Sequence, residues 1–239
     1  MKRVLPMLLC CALPGLPGTA GVAHAAELRP FQTSYAFITF GMNAGTASFE
    51  LRHEDGAEWT YSTKTEPRGI FHMIARATAS GTSRMSIGPE GVRPLRFEFT
   101  EGNAASGVTR LNFDWQANHA RGKVEGQDID LVLHPGVQDD LSIQVALISA
   151  LAADAAPSGF SVFDKNGIRD YSYTREGTAM LKTPLGEIST VIYRSQRSGS
   201  PRSTRYWCAP EYGYIPVRAE QRRLDEVQWT MELRSLHRD

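Results

Sequence analysis

One thiol, a pair of adjacent carboxylates, scattered histidines and a cluster of arginines are the groups in this 239-residue chain with the chemistry to act on another molecule. A thiol attacks as the thiolate, so Cys208 would need a neighbour that lowers its pKa. Arg205 is three residues away, but in an extended strand Arg205 and Trp207 share one face while Tyr206 and Cys208 share the other. A buried, apolar thiol is the expectation. Asp139 and Asp140 suggest general acid and base catalysis, yet such pairs converge across a cleft, whereas adjacent side chains ahead of a helix diverge. Capping of a helix N-terminus suits them better. His53, His72, His119, His134 and His237 lack metal-ligand spacing and read as surface or loop residues. Arg194, Arg197, Arg202 and Arg205 flank Ser198-Gly199-Ser200-Pro201, which reads as a solvated hairpin tip, with an anionic headgroup or polysaccharide site as the sharper alternative. His-Glu-x-x-His, Gly-x-Ser-x-Gly, the P-loop, Gly-x-Gly-x-x-Gly and Cys-x-x-Cys are all absent. These readings assign no catalytic residue, no metal site and no cofactor.

The elements that would hold these groups are strands. Gly45, Ala47, Phe49 and Leu51 alternate with polar residues, as do Ala57, Trp59 and Tyr61, and a three-residue loop of Glu54, Asp55 and Gly56 would pair Leu51 with Trp59 and Phe49 with Tyr61. Asn166-Gly167 reads as a two-residue turn that sets Val162 opposite Tyr171 and Phe160 opposite Tyr173. Leu111, Phe113 and Trp115 alternate in the same way, as do Val227, Trp229, Met231 and Leu233. Strands with one wet face build an antiparallel sheet, since parallel strands are apolar on both faces. The fold class is therefore mainly β, an antiparallel, strongly curved sheet forming an open, unclosed β-barrel. One segment differs, because Leu141, Val145, Ile148 and Ala152 recur at helical spacing and Ile143, Leu147 and Leu151 widen the stripe. A buried or lid-like helix over about residues 140–153 is expected, lying against the concave side of the sheet. Pro67 to Ala75 reads as a helical turn or an apolar loop.

Met1, Lys2 and Arg3, a short apolar stretch from Val4 to Leu13, and Ala23-His24-Ala25 make residues 1–25 a signal peptide cleaved after Ala25, with residues 26–239 as a single exported domain. Leu9 before Cys10 argues against lipidation, and the leader's removal takes Cys10 and Cys11 with it, which leaves Cys208 without a disulfide partner. Removing Lys2 and Arg3 from 26 basic residues leaves 24 against 26 acidic ones, a formal charge of −2 that disfavours nucleic acid as a partner. The longest later apolar stretch, Leu141 to Ala153, is too short to span a membrane.

Three stretches carry a resemblance. Trp207-Cys208-Ala209-Pro210-Glu211-Tyr212-Gly213-Tyr214-Ile215-Pro216-Val217-Arg218, Gln138-Asp139-Asp140-Leu141-Ser142 and Lys182-Thr183-Pro184-Leu185-Gly186 resemble, in order, the signatures of a family of exported bacterial proteins catalogued as domain of unknown function 3108. The resemblance covers the chain from about Phe31 and implies an antiparallel, mostly β, envelope-associated protein with no assigned activity. Pro210 and Pro216 bracket an aromatic corner that either closes the sheet or forms a ligand-contacting rim. The reading that follows is a non-catalytic periplasmic binding protein for an apolar or amphipathic envelope component, such as a lipid or an acylated protein. Leu141, Val145, Ile148, Trp207, Tyr212, Tyr214 and Arg218 are its candidate ligand-binding residues. The alternative is an envelope assembly or scaffold factor with a dry core that acts through protein or polysaccharide contacts.

Overall fold

The computed structural model describes residues 28–71, 78–102, 107–164 and 167–238. Among these, the strands are β1 (Phe31–Thr39), β2 (Met42–His53), β3 (Glu58–Pro67), β4 (Ala79–Gly88), β5 (Gly91–Glu101), β6 (Val108–Asp114), β7 (His119–Val124) and β8 (Gln127–Val132). After helix α1 (Ser142–Ala152) come β9 (Gly159–Asp164), β10 (Gly167–Thr183), β11 (Gly186–Arg197), β12 (Arg202–Ala209), β13 (Ile215–Arg223) and β14 (Glu226–Arg238). All fourteen form one antiparallel sheet in the order β8-β7-β6-β5-β4-β3-β2-β1-β14-β13-β12-β11-β10-β9. Consecutive strands pair except β8 and β9, which remain as the two edges, and β1 pairs with β14, so the sheet curls without closing. The curl brings Phe97 of β5 to Phe163 of β9, with ring centroids 6.5 Å apart.

The chain between β8 and α1 crosses the gap between these edges. Leu133 N–H donates to Asn118 O at 2.8 Å, while Gln138 N–H donates to Ser161 O and Gln138 O accepts from Phe163 N–H, each at 2.8 Å. This parallel bridge occupies part of the β9 edge, which would otherwise offer unpaired backbone groups.

Alternation predicts the buried face correctly and the register less well. Leu111 and Phe113 are buried, as are Ala47, Phe49 and Leu51. The β2–β3 hairpin, however, pairs Leu51 with Tyr61 and His53 with Trp59. Glu54 N–H bonds Glu58 O, which closes a three-residue loop of Asp55, Gly56 and Ala57, one residue later than expected, with Gly56 left-handed at φ +59°. At β9–β10, Gly167 pairs with Asp164 and Tyr171 with Phe160. The expected pairs are shifted there by two in the partner, and Asn166 lies outside the described residues. Both shifts preserve the faces, because moving a partner by two keeps a side chain on its side. The β14 alternation breaks at Val227, which is 46% exposed, because the register shifts between Gln221↔Trp229 and Arg222↔Val227. In the 67–75 stretch, Phe71 N–H bonds Arg68 O at 3.2 Å as a helical turn begins; His72, Met73 and Ile74 lie outside the described residues.

Helix α1 fills the concave side. Leu141, Val145, Ala146 and Ile148 join the main core with Leu51, Met85, Phe97, Leu111 and Leu233. Ile143, Leu147 and Leu151 face a second core of Val162, Tyr173, Tyr193 and Cys208. A helix with apolar residues on both sides and no charged side chain suits this position between two walls. Its end is fixed by Asp154 at φ +53°, with Ala155 N–H bonded to Ala150 O and Asp154 N–H to Leu151 O. This is a Schellman closure with aspartate in place of the usual glycine.

Candidate functional site

Asp139 is fully buried, and each of its carboxylate oxygens is engaged. Oδ1 accepts from Leu141 N–H and Ser142 N–H at 2.8 Å, and Oδ2 accepts from the Ser83 hydroxyl on β4 at 2.6 Å. Ser142 Oγ in turn accepts from Asp139 N–H at 2.8 Å, a reciprocal cap across the first turn. Gln138 Nε2 donates to Val92 O on β5 at 2.8 Å. The stretch Gln138-Asp139-Asp140-Leu141-Ser142 is thus a latch that fixes the start of α1 to β4, β5 and β9. Leu141 itself sits over Gly81, where a Cβ would stand 3.2 Å from Leu141 Cδ1 and 2.6 Å from Phe99 Cδ2. Burial raises the Asp139 pKa, with Ser83 and the Ser142 and Leu141 amides opposing. Asp140 is exposed, so the two carboxylates do not converge.

Cys208 has no solvent exposure, and burial pushes its thiol up to about 12. A group held so far from its thiolate is packing material at neutral pH. The arginines behave differently from a row of free charges. Arg194 and Arg205 stand directly opposite in the β11–β12 register. Glu176, the extra residue where β10 pairs Arg175 with Tyr193 and Gly177 with Ile192, accepts from Arg205 Nε at 2.6 Å and Arg194 Nε at 2.8 Å. This bulge aims one carboxylate at two like charges, and both hold its pKa below the ordinary range, Arg205 most strongly. Arg197 meets Asp164 at 3.6 Å. Alternation could not locate this residue; Gly177 inside a strand run was the available signal.

The aromatic corner is a built turn. Pro210–Tyr212 form one turn of 3-10 helix, Gly213 and Tyr214 are left-handed at φ +61° and +65°, and Tyr214 N–H returns to Ala209 O at 2.7 Å. Tyr35 donates its hydroxyl to Pro216 O at 2.7 Å, and the Arg218 guanidinium lies 5.2 Å from the Trp207 ring centroid. At the Lys182–Gly186 tip, Thr183 Oγ1 donates to Gly186 O at 3.0 Å and accepts from Leu185 N–H at 3.1 Å.

The seven candidate ligand residues do not line one cleft. Leu141, Val145 and Ile148 are 4, 0 and 2% exposed and lie in the core. Ile148 touches a hollow of about 220 Å³ shared with Phe31, Ala152, Pro210, Gly213 and Ile215. Tyr214 lines another of about 190 Å³ with Leu151, Asp154, Val191 and Tyr193. Trp207 and Arg218 stack on each other, and Tyr212 packs against the main core. Both hollows are smaller than the ~300 Å³ at which small-molecule sites begin. The histidines are dispersed: His53 Nε2 bonds Gly56 O, His119 pairs with Asp130, and His134 and His237 are exposed, while His72 lies outside the described residues.

The same fold is found in a β-barrel-like protein of domain of unknown function DUF1849 from Brucella abortus, with a TM-score of 0.59 and 10% identity over 89% of this chain and 99% of that one. A protein with a YmcC-like fold from Bacteroides fragilis aligns over 89% of this chain and 97% of its own, at 12% identity and a TM-score of 0.36. No curated protein matches the sequence. With its three signature stretches now placed as latch, hairpin tip and corner, and with a family model matching residues 30–232, the chain belongs to the family described as protein of unknown function (DUF3108).

Proposed function

We propose that this is a non-catalytic cell-envelope protein that keeps a packed interior and acts through its outer surface. The observation that carries the reading is α1, which fills the concave side of the sheet from both directions. Export rests on the residue 1–25 leader, which lies outside the described residues. Displacing α1 with Leu141 just before it would expose Leu141, Ile143, Val145, Leu147, Ile148 and Leu151, which at ~1.5–3 kcal/mol each costs roughly 9–18 kcal/mol. A sixteen-carbon acyl chain would return roughly 12 kcal/mol at ~0.8 per methylene, so the exchange leaves little surplus. The groups with chemical potential are also committed to structure, Asp139 to the helix start and Cys208 to the second core.

A carrier for a lipid or acylated protein is the second reading, favoured by the absence of charge on α1 and by the hollow where Ile148 meets the corner. Native mass spectrometry of protein recovered from an envelope fraction separates the two. Delipidated, refolded protein titrated with acyl probes of several chain lengths gives an independent answer. The packed-interior reading expects no lipid and no acyl probe inside the sheet; a stoichiometric lipid or a probe whose binding is abolished by shortening Val145 and Ile148 overturns it in favour of the carrier.

A further inference from the structure

Antiparallel order sends alternate hairpins to opposite ends of a sheet, so the β1–β2, β3–β4, β11–β12 and β13–β14 connections share one end. Leu224 N–H donates to Pro201 O at 2.7 Å, which ties two of these tips together. On this rim Phe40, Met42, Ile70, Leu224 and Val227 are 86, 50, 60, 73 and 46% exposed. Single exposed apolar side chains are common, but the turns here make the choice selective. Phe40-Gly41 is a two-residue loop with φ +50° and +73°, and Leu224 has φ +54° between Arg223 and Glu226. Asn, Asp or Gly ordinarily hold such positions, because a large side chain is penalised in the left-handed region. The matching loop Glu125-Gly126, at φ +50° and +87°, carries a polar residue in Phe40's place. Neither turn geometry nor packing therefore calls for Phe40 or Leu224.

Arg202 and Arg223 stand directly opposite each other where β12 and β13 meet this rim, both exposed, and neither forms an ion pair with another described residue. They contrast with Arg194 and Arg205, whose opposition Glu176 neutralises. Arg68 is exposed at the neighbouring connection, while Asp225 and Glu226 are the acidic residues of the Leu224 tip and Glu66 is held by Lys64 at 2.6 Å. We propose that this rim docks on an anionic phospholipid surface. Phe40, Met42, Ile70, Leu224 and Val227 enter the boundary between headgroups and acyl chains, and Arg68, Arg202 and Arg223 meet the phosphates. Hairpin tips two strands apart are separated by ~10 Å unless they touch, as the Leu224 and Pro201 tips do, so Phe40 and Leu224 stand on separate knobs and not on a continuous face. A fluid bilayer accepts such knobs without shaped pockets, whereas a protein partner would need one for each. This names a partner for the surface-acting reading and rests on it only for placing the protein in the envelope.

The test uses the full chain expressed with its leader and recovered from the envelope. It is mixed with vesicles of phosphatidylethanolamine and phosphatidylglycerol, or of phosphatidylcholine alone, and the bound fraction is read by flotation. Phe40→Asn with Leu224→Asn places residues that tolerate the left-handed region, so the melting temperature should hold or rise. The partition coefficient should fall by about tenfold or more. Arg202→Gln with Arg223→Gln should remove the preference for phosphatidylglycerol and leave residual binding to both vesicles. Wild-type protein that binds neither vesicle, or a double asparagine variant that binds as wild type, overturns the proposal. Loss of self-association in that variant without any vesicle binding also overturns it and makes the rim a contact between copies. An acyl probe lodged inside the sheet would defeat the packed-interior reading and leave the rim result standing, whereas failed flotation with a dry interior does the reverse.

Discussion

Asp139 shows how a residue with catalytic chemistry can be spent on structure. Asp139→Ala would leave two amides and the Ser83 hydroxyl without their acceptor, and the expected loss is about 2–4 kcal/mol in a urea titration. Asp139→Asn keeps an oxygen for the amides and presents an N–H to Ser83, so it should cost less. The pair also differ in pH dependence. Because burial raises the Asp139 pKa in the fold, its carboxyl adds stability at low pH that is lost as pH rises through the folded value. The wild type should therefore lose ground to Asp139→Asn as pH increases from about 4 towards neutrality; a gap that moves the other way would refute the assignment. Glu176 works in the opposite sense, since its lowered pKa adds stability that disappears as pH falls. Cys208→Ser should fold and be exported with a loss of about 1 kcal/mol, and native wild type should resist thiol alkylation. Complete loss of a phenotype in a stably folded Cys208→Ser protein would restore a chemical role. The burial of Cys208 and the capping of the helix start by one of Asp139 and Asp140 were legible in the sequence, but which of the two aspartates caps was not. Glu176 was not, because its position depends on a bulge that interrupts alternation.

At the scale of elements, period proved more informative than turn chemistry. A period of two decides the face, so Leu51, Tyr61, Leu111 and Phe113 turned inward as read, but it is blind to a register shift of two. The Asp55-Gly56-Ala57 loop and the Gly167↔Asp164 pair differ from expectation by that ambiguity. The helix was visible for the opposite reason: its apolar spacing at three and four has no strand equivalent, although the sequence could not say that both sides would be covered. This packing gives two predictions. Ile148→Ala should cost ~2–5 kcal/mol in a denaturant titration, with no change in acyl-probe signal if the interior is packed. Gly81→Ala should also destabilise, by ~1–3 kcal/mol, because its Cβ would meet Phe99 at 2.6 Å and Leu141 at 3.2 Å. Recovery of the Gly81→Ala protein by Phe99→Leu, read as a rise in melting temperature, would confirm the steric cause; a single variant as stable as wild type would refute it.

We propose that the described residues form one cooperative unit, because the two halves of the sheet share α1. Strands β1 to β8 precede the helix and β9 to β14 follow it, and the segment 154–158 between them is the natural place to suspect a seam. Yet β1 pairs with β14 along most of its length, and the main core draws Phe31, Leu51 and Leu111 from the first half and Phe163, Ile215 and Leu233 from the second. Either half alone would expose one side of α1 and a long sheet edge, so neither is expected to fold by itself. A single cooperative transition is expected, with near-ultraviolet dichroism and tryptophan fluorescence giving the same midpoint in urea. Trp59 and Trp115 report the first half and Trp207 and Trp229 the second, so the optical probes sample both. Limited proteolysis near Asp154 should yield a nicked protein whose fragments stay associated until that same midpoint. Two separated transitions, or a fragment of residues 159–238 that remains folded after the other is removed, would show that the seam divides two domains.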